Sequence, residues 1–332
     1  MHHHLLIAEF LATPWALMPE RLNVVAAVLA RWSQDIPARE EVLAGIAADR
    51  TVREARRQAA TAVSTGGIAV LPLYGVVTQR GNMVDDVSGP GSVSTQQFAS
   101  ALRQALADDS VSQILIDIDS PGGSVYGVSE LADEIVSARA QKPVVAIANS
   151  LAASAAYWIG CSASEFYVTP GGEVGSIGVW QAHFDYSQAF AAEGIQPTLI
   201  SAGKYKVEGN PYAPLDEEAQ GFMQSRVDDY YASFTKAVAR GRGVPIAQVR
   251  EGMGQGRVLG AEAAQAQGMV DGVATFDEVV RKLRREARSG AKPRANRLVQ
   301  AQRELDILGT GACWVELLDL WSALHAFPAV PV

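Results

Sequence analysis

Two buried-strand patterns, each followed by a turn and a helical pattern, constrain the fold of this chain most. Val111 to Asp119 and Pro143 to Ala148 are short runs rich in Val, Ile and Ala, which is typical of strands covered on both faces. Further strands are predicted at Ile68–Val77, Glu165–Thr169, Val174–Trp180 and Gln196–Ser201, and further helices at Thr95–Asp108, Val125–Ala140, Tyr186–Glu193 and Asp216–Arg240. This alternation predicts an α/β fold.

The chain divides by pattern into three regions. Residues 1–65 carry amphipathic helical spacing and are predicted to form a helical arm, and residues 66–283 carry the strand and helix alternation. Residues 284–332 begin with a basic run and end in an apolar pattern at helical spacing, which predicts a basic linker and an amphipathic tail.

Composition excludes several classes of protein. With 332 residues, of which 48% are hydrophobic, the chain can bury a large core, and its net charge of −8 argues against nucleic acid as a main partner. The apolar N-terminal region is broken by charged residues and prolines, so no membrane segment is expected and a cytoplasmic location is favoured. The two cysteines lack zinc-ligand spacing, and the paired Asp85 and Asp86 lack a third ligand nearby, so no metal site is expected.

Ser154 is the main candidate for a nucleophile. It follows the Pro143–Ala148 strand and opens a helical pattern, so the Ala155 N–H should be a first-turn donor without a partner inside the helix. Such a donor stabilises the negative oxygen that forms when a carbonyl is attacked. A serine at the start of a buried helix is more often a simple cap or packing residue, however, and Ser154 needs partners.

The turn Ser120-Pro-Gly-Gly-Ser124 ends the neighbouring strand and is the second candidate element. Its glycines allow close backbone approach to a ligand, and its place at the carboxyl end of a buried strand is where ligands bind in open α/β sheets. We expect Gly123 and Ala155 to face one carbonyl from opposite sides, with Gly122 and Ser124 contacting the substrate.

Spacing alone leaves the base open. His183 is one candidate, and Lys204 and Lys206 are the others. A lysine acts as a base only when neutral, and lowering its pKa from about 10.4 to about 7 or 8 costs roughly 4 kcal/mol, which burial must provide. Lys206 is modestly favoured over Lys204, although an ordinary surface lysine is the commoner explanation for either.

Four motifs in order resemble the signal peptide peptidase A family of serine peptidases. They are Asp119-Ser-Pro-Gly-Gly-Ser124, Ala152-Ala-Ser-Ala-Ala-Tyr-Trp158, Gly175-Ser-Ile-Gly-Val179 and Ala202-Gly-Lys-Tyr-Lys-Val-Glu-Gly-Asn-Pro211. The resemblance covers residues 68–283. It implies the Clp protease and crotonase fold of repeated β-β-α units, with Ser154 as nucleophile, Lys206 as general base, Ser176 assisting the lysine, and Gly123 and Ala155 as the oxyanion hole. Ala155-Ala156 stands where the family commonly has Gly-Gly.

Two stretches resemble the branch of phage head proteases of the minor capsid protein C type. They are Phe10-Leu-Ala-Thr-Pro-Trp15 with Pro19-Glu-Arg-Leu-Asn-Val-Val25, and Lys206-Val-Glu-Gly-Asn-Pro-Tyr212. The resemblance implies a homo-oligomeric endopeptidase without cofactors that cuts capsid, scaffold or portal proteins in the host cytoplasm or inside the prohead. The alternatives are a structural head protein that retains the fold, a cellular-type signal peptide peptidase, and acyl-coenzyme A chemistry, which would not require Lys206.

Overall fold

The apolar runs of the sequence form the centre of a seven-stranded, mainly parallel sheet. The computed structural model describes residues 13–19, 67–80 and 92–289. The main path of the sheet runs β10-β9-β7-β5-β2, and β8 pairs with β7 and β11. Its strands are β2 (Ile68–Tyr74), β5 (Gln113–Ser120), β7 (Val144–Ala153), β8 (Glu165–Val168), β9 (Glu173–Gly175), β10 (Val258–Gly260) and β11 (Gly272–Val273). The α/β class predicted from the alternation is therefore confirmed.

A second, four-stranded sheet lies at the carboxyl ends of the central strands, in the order β1-β6-β3-β4. Its strands are β1 (Trp15–Leu17), β3 (Val76–Thr78), β4 (Ser92–Ser94) and β6 (Gly122–Ser124). β6 follows β5 after a single residue, Pro121, so the chain leaves one sheet and enters the other at the predicted Pro-Gly-Gly turn.

The helices occupy the predicted places in most cases. They are α1 (Thr95–Ala107), α2 (Val128–Ala138), α3 (Ala155–Gly160), α4 (Ser187–Ala192), α5 (Glu217–Arg242), α6 (Ile246–Glu251), α7 (Ala261–Ala266) and α8 (Phe276–Ser289), with a 3-10 turn at Met253–Gly256. Side chains cap two of these helices: Ser94 accepts the Gln97 N–H and Asp216 accepts the Ala219 N–H. Gly243, with φ of 67°, ends α5.

β7 positions the candidate nucleophile because it has different neighbours along its length. Its first half pairs with β8 from Val145 to Ala148, and its second half pairs with β9 from Leu151 to Ala153. The strand is therefore longer than the Pro143–Ala148 run predicts, and it continues to the residue before Ser154.

Both faces of the central sheet are covered. On one face, the indole of Trp158 stacks on Phe234 with ring centroids 4.7 Å apart, which joins α3 to α5. On the other face, Val279, Val280 and Leu283 of α8 pack against β2, β5 and β7. Covering on both faces explains why the central strands are apolar runs instead of alternating patterns.

An ion pair formed by a largely covered arginine side chain joins the end of α5 to the sheet. The Arg242 guanidinium lies 2.8 Å from an Asp271 carboxylate oxygen, and its side chain is only 7% exposed. Arg242 also donates to the Gly268 carbonyl, and Asp271 accepts the backbone N–H of Phe166. The Cys161 thiol lies in the same buried region, where desolvation raises its pKa to about 12.

Three sequence predictions about secondary structure are wrong or too long. Residues 196–201 contain no strand, and the predicted strand Val174–Trp180 is confined to Glu173–Gly175. Trp15–Leu17, inside the predicted helical arm, is a strand. The arm other than residues 13–19, the pair Asp85 and Asp86, and the tail beyond residue 289 lie outside the described residues. The three-region division stays a prediction.

Residues 13–19, 67–80 and 92–289 contain neither a membrane-spanning helix nor a cluster of metal ligands. No helix among them has the length and apolar content that a bilayer span requires. The same residues contain no group of three or more His, Cys, Asp or Glu side chains placed to hold a metal ion.

Candidate active site

Ser154 stands at a strained turn between β7 and α3. Its backbone has φ of 54° and ψ of −118°, a conformation that side-chain-bearing residues rarely adopt. Two backbone hydrogen bonds hold the turn, since the Ser154 N–H donates to the Gly175 carbonyl at 2.7 Å and the Ser154 carbonyl accepts the Trp158 N–H at 2.9 Å. The residue is 1% exposed. Strain of this kind costs about 1–3 kcal/mol and concentrates at functional sites.

The Gly122–Ser124 strand lies directly against Ser154. A Cβ added to Gly122 would stand 2.9 Å from the Ser154 Cβ, and Gly122 has φ of +97°. A Cβ added to Gly123 would stand 1.9 Å from the Val77 carbonyl oxygen. Both positions therefore require glycine, as the Pro-Gly-Gly pattern predicts.

Ser120 and Ser124 stabilise the ends of this strand. The Ser120 hydroxyl donates to the Gly75 carbonyl at 2.6 Å and accepts the Gly122 N–H at 3.2 Å. The Ser124 hydroxyl accepts the Tyr126 N–H at 3.3 Å. Both serines are buried, so their described role is to fix the turn between the two sheets.

The Gly175–Val179 motif also contacts Ser154. The Ser154 hydroxyl is 3.4 Å from the Gly178 carbonyl oxygen, a long hydrogen bond that holds the side chain only weakly. Ser176 is buried and has φ of 54°, and its N–H donates to the Arg257 carbonyl at 2.8 Å. The two serines of the predicted site thus share the same unusual sign of φ.

The predicted oxyanion donors belong to the two elements next to Ser154, α3 and β6. Ala155 is the first residue of α3, so its N–H has no acceptor inside the helix. Gly123 lies in β6, whose neighbour Gly122 contacts Ser154. The structure brings together Ser154, Ala155, Gly122 and the Gly175–Val179 motif.

The candidate bases are not in contact with Ser154. Lys206 is exposed, and in the described part of the chain its amino group forms no hydrogen bond or ion pair. The His183 imidazole lies 3.0 Å from the Asn210 carbonyl oxygen. Both residues belong to the segment after β9, which contains one short helix, α4, before α5 begins.

Lys204 is already paired with an acid. Its amino group lies 2.9 Å from a Glu218 carboxylate oxygen and 2.7 Å from the Tyr205 hydroxyl. The hydrogen bond to Glu218 is the main reason that the pKa of Lys204 is raised above its ordinary value. A raised pKa is the wrong direction for a base that must be neutral, so this contact disfavours Lys204.

One element of the site was missed in the sequence. β1 pairs antiparallel with β6, with Trp15, Ala16 and Leu17 opposite Ser124, Gly123 and Gly122. The available signal was the bracketing of this short apolar run by Pro14 and Pro19, which interrupts a helical pattern and is compatible with a short edge strand.

The chain is similar to a peptidase family and to several known proteins. Residues 137–289 match the sequence profile of Peptidase family S49. The chain is 37% identical to capsid assembly protease C of Escherichia phage lambda, over 57% of this chain and 43% of that protein. It is 33% identical to the head-tail preconnector protein GP5 of Enterobacteria phage P21, over 74% of this chain and 50% of that protein. A putative protease of Methanocaldococcus jannaschii is 31% identical, over 61% of this chain and 65% of that protein. The matches therefore span half or less of the two phage proteins.

Proposed function

The chain carries a Peptidase family S49 domain over residues 137–289, and from this premise we propose that it is a serine endopeptidase of phage prohead assembly. The observation that carries the proposal is the strained, buried Ser154 at the junction of β7 and α3, with the Gly122–Ser124 strand against it. The family predicted from the four motifs is confirmed, whereas the residue roles remain our proposal.

The proposed reaction uses a Ser-Lys dyad. Neutral Lys206 removes the proton from the Ser154 hydroxyl as its oxygen attacks a peptide carbonyl, and Ser176 hydrogen-bonds to the lysine. The N–H groups of Gly123 and Ala155 stabilise the resulting oxyanion. Collapse of this intermediate transfers the proton from Lys206 to the leaving amine, and water then releases the acyl group from Ser154.

Lys206 must come closer to Ser154 than it lies in the single chain. Its segment carries exposed apolar side chains, among them Ile200 at 96% exposed and Tyr205 at 53% exposed, and Phe222 of α5 is 55% exposed. Exposed apolar groups of this size favour association. We therefore include a homo-oligomer in the proposal, in which packing of this segment against a neighbouring copy desolvates Lys206 and completes the dyad.

The substrates proposed are capsid, scaffold or portal proteins, cut in the host cytoplasm or inside the prohead. Support comes from the names of the two phage relatives, a capsid assembly protease and a head-tail preconnector protein. The finer fold assignment, the Clp protease and crotonase fold, is supported by the order β5, β6, α2, in which a long strand, a short strand in the second sheet and a helix follow one another.

The test is intact-mass analysis of the head proteins encoded beside this gene, after co-expression with four chains. Wild type and Lys204→Ala should produce the same new fragments, and Ser154→Ala and Lys206→Ala should produce none. Lys204→Ala is the matched control because it removes a neighbouring lysine that is already paired with Glu218. Identical masses in all four cultures, with heads still assembling, would favour a structural head protein instead.

A mixing experiment tests the oligomer part of the proposal. Purified Ser154→Ala and Lys206→Ala chains are each expected to be inactive, and a mixture of the two should recover cleavage if Lys206 acts on the Ser154 of another copy. Sedimentation of each variant checks that association is intact. Cleavage by wild type at concentrations where only the monomer is present would refute the oligomer requirement and leave the dyad itself untouched.

A further inference from the structure

β1 occupies the position beside Ser154 that an extended peptide would fill. Ala16 and Ser154 both lie close to Gly122. A Cβ added to Gly122 would stand 2.3 Å from the Ala16 carbonyl oxygen and 2.9 Å from the Ser154 Cβ. Because both distances are short, the Ala16 carbonyl oxygen lies close to the Ser154 side chain. No other described strand pairs with β6 on this side.

The backbone of β1 is hydrogen-bonded on both sides, to Trp180 and to the β6 segment. On one side, the Trp15 N–H donates to the Trp180 carbonyl at 2.8 Å and the Trp15 carbonyl accepts the Trp180 N–H at 3.0 Å. On the other side, the Met18 N–H donates to the Pro121 carbonyl at 3.1 Å. Because backbone groups alternate along a strand, the N–H and carbonyl of Ala16 point to Gly123, its partner in the register.

This register engages the backbone N–H that the proposed mechanism needs. The Gly123 N–H faces the Ala16 carbonyl, so it is not available to an oxyanion while β1 is in place. The Trp180 indole N–H also donates to the Leu17 carbonyl at 2.9 Å, which holds the carboxyl end of the segment. Trp15, Ala16 and Leu17 are 4%, 0% and 1% exposed, so the segment fills its place completely.

We propose that Trp15–Leu17 is an internal competitor, which binds as a strand in the peptide-binding cleft beside Ser154 and must leave before a polypeptide substrate can enter. That the cleft binds a substrate rests on the proposed function. The cleft itself is defined by the pairing of β1 with β6. The chemical class it takes is an extended peptide. Backbone bonds supply most of the contacts, and the buried side chains favour an aromatic, a small and a leucine-sized residue in succession.

Binding of a free copy of the segment tests the inference without requiring catalysis. The probe is a fluorescein-labelled peptide with the sequence of residues 13–20, and the protein is full-length Ser154→Ala, which cannot cleave it. A tethered strand competes at an effective concentration near the millimolar range, so the probe should bind weakly. Adding Ala16→Pro removes the N–H directed at Gly123 and weakens the internal strand. We expect the probe to bind the double variant about tenfold more tightly or better.

Thr13→Ala, in the same Ser154→Ala background, is the matched control because Thr13 precedes the paired residues. Its affinity for the probe should equal that of Ser154→Ala alone. Equal affinity in all three chains, with unchanged circular dichroism, would overturn the inference and make β1 an ordinary structural strand. Tighter binding by the double variant, together with no cleavage of head proteins by wild type, would retain the cleft and refute the proposed function.

Hydrogen exchange covers the case in which Ala16→Pro does not fold. In Ser154→Ala, an excess of the probe should speed exchange of the chain's own residues 15–18, because the probe displaces them, and leave exchange of Gly122–Ser124 slow. Unchanged exchange of residues 15–18 at saturating probe would overturn the inference.

Discussion

Replacing Ser154 by glycine should relieve strain at the candidate nucleophile. With φ of 54° and ψ of −118°, this position costs a side-chain-bearing residue about 1–3 kcal/mol, and glycine escapes most of that cost. Comparing Ser154→Gly with Ser154→Ala removes the contribution of the hydroxyl, whose hydrogen bond to Gly178 is already long at 3.4 Å. What remains is the effect of an alanine-to-glycine change at a strained position.

The magnitude follows from a matched change one residue earlier. Ala153 is equally buried and does not have a positive φ, so Ala153→Gly loses about 0.8 kcal/mol of apolar burial and a further 0.4–1 kcal/mol of chain entropy. The same losses apply at position 154, where the relieved strain offsets them. The alanine-to-glycine change at 154 should therefore be more favourable than the change at 153 by about 2 kcal/mol.

Urea unfolding followed by circular dichroism measures both differences, and a peptidase assay run in parallel should find Ser154→Gly and Ser154→Ala equally inactive. The strain account is refuted if the alanine-to-glycine change has the same effect on the free energy of unfolding at positions 154 and 153, to within about 0.5 kcal/mol. This is about the resolution of such measurements. Such a result would mean that the surrounding hydrogen bonds do not force the unusual backbone on Ser154.

Three further predictions concern residues around the site. Arg242→Ala should lower the free energy of unfolding by about 2 kcal/mol, because its largely covered guanidinium donates hydrogen bonds to both Asp271 and the Gly268 carbonyl. Arg240→Ala, which breaks an exposed pair, should cost less than about 1 kcal/mol in the same urea titration. Gly123→Ala should abolish cleavage and destabilise the chain, while Gly171→Ala, where a Cβ meets nothing within 4 Å, should leave both unchanged. Burial raises the pKa of Cys161 from 9.0 to about 12, so stability should decline as pH rises through that window, and Cys161→Ser should reduce the decline.

The site was predictable from the sequence where local pattern and tertiary structure agree. Ser154 follows an apolar β-branched run and precedes a helical pattern, and the structure places it between a strand and a helix. Gly122 and Gly123 were identified from a turn pattern, and the close contacts around them show why side chains are excluded there. In each case the backbone requirement is local, so the order of residue types along the sequence is enough to predict it.

The remaining parts depend on contacts between distant residues. Trp15–Leu17 is a strand because it is hydrogen-bonded to Gly122–Ser124 on one side and to Trp180 on the other. The residues of the segment itself do not indicate these distant partners. Residues 196–201 show the reverse: their apolar content is typical of a strand, but Ile200 is 96% exposed and the segment pairs with no described strand. An apolar run needs a neighbouring strand edge to become a strand, and the sequence does not reveal which edges are free.

Two segments affect the proposed chemistry: the strand at 15–17, and the segment after β9, which includes residues 196–201 and Lys206. The segment at 15–17 is apolar and fully buried in the cleft, whereas the segment that carries Lys206 is partly apolar and exposed. A dyad that is incomplete in the single chain and a cleft that is already filled would each suppress cleavage, and they do so by independent contacts. Assembly that buries the Lys206 segment would supply the base, and a substrate strand that displaces Trp15–Leu17 would release the Gly123 N–H. On the proposed function, cleavage requires both events, so activity is confined to assembled copies in contact with substrate.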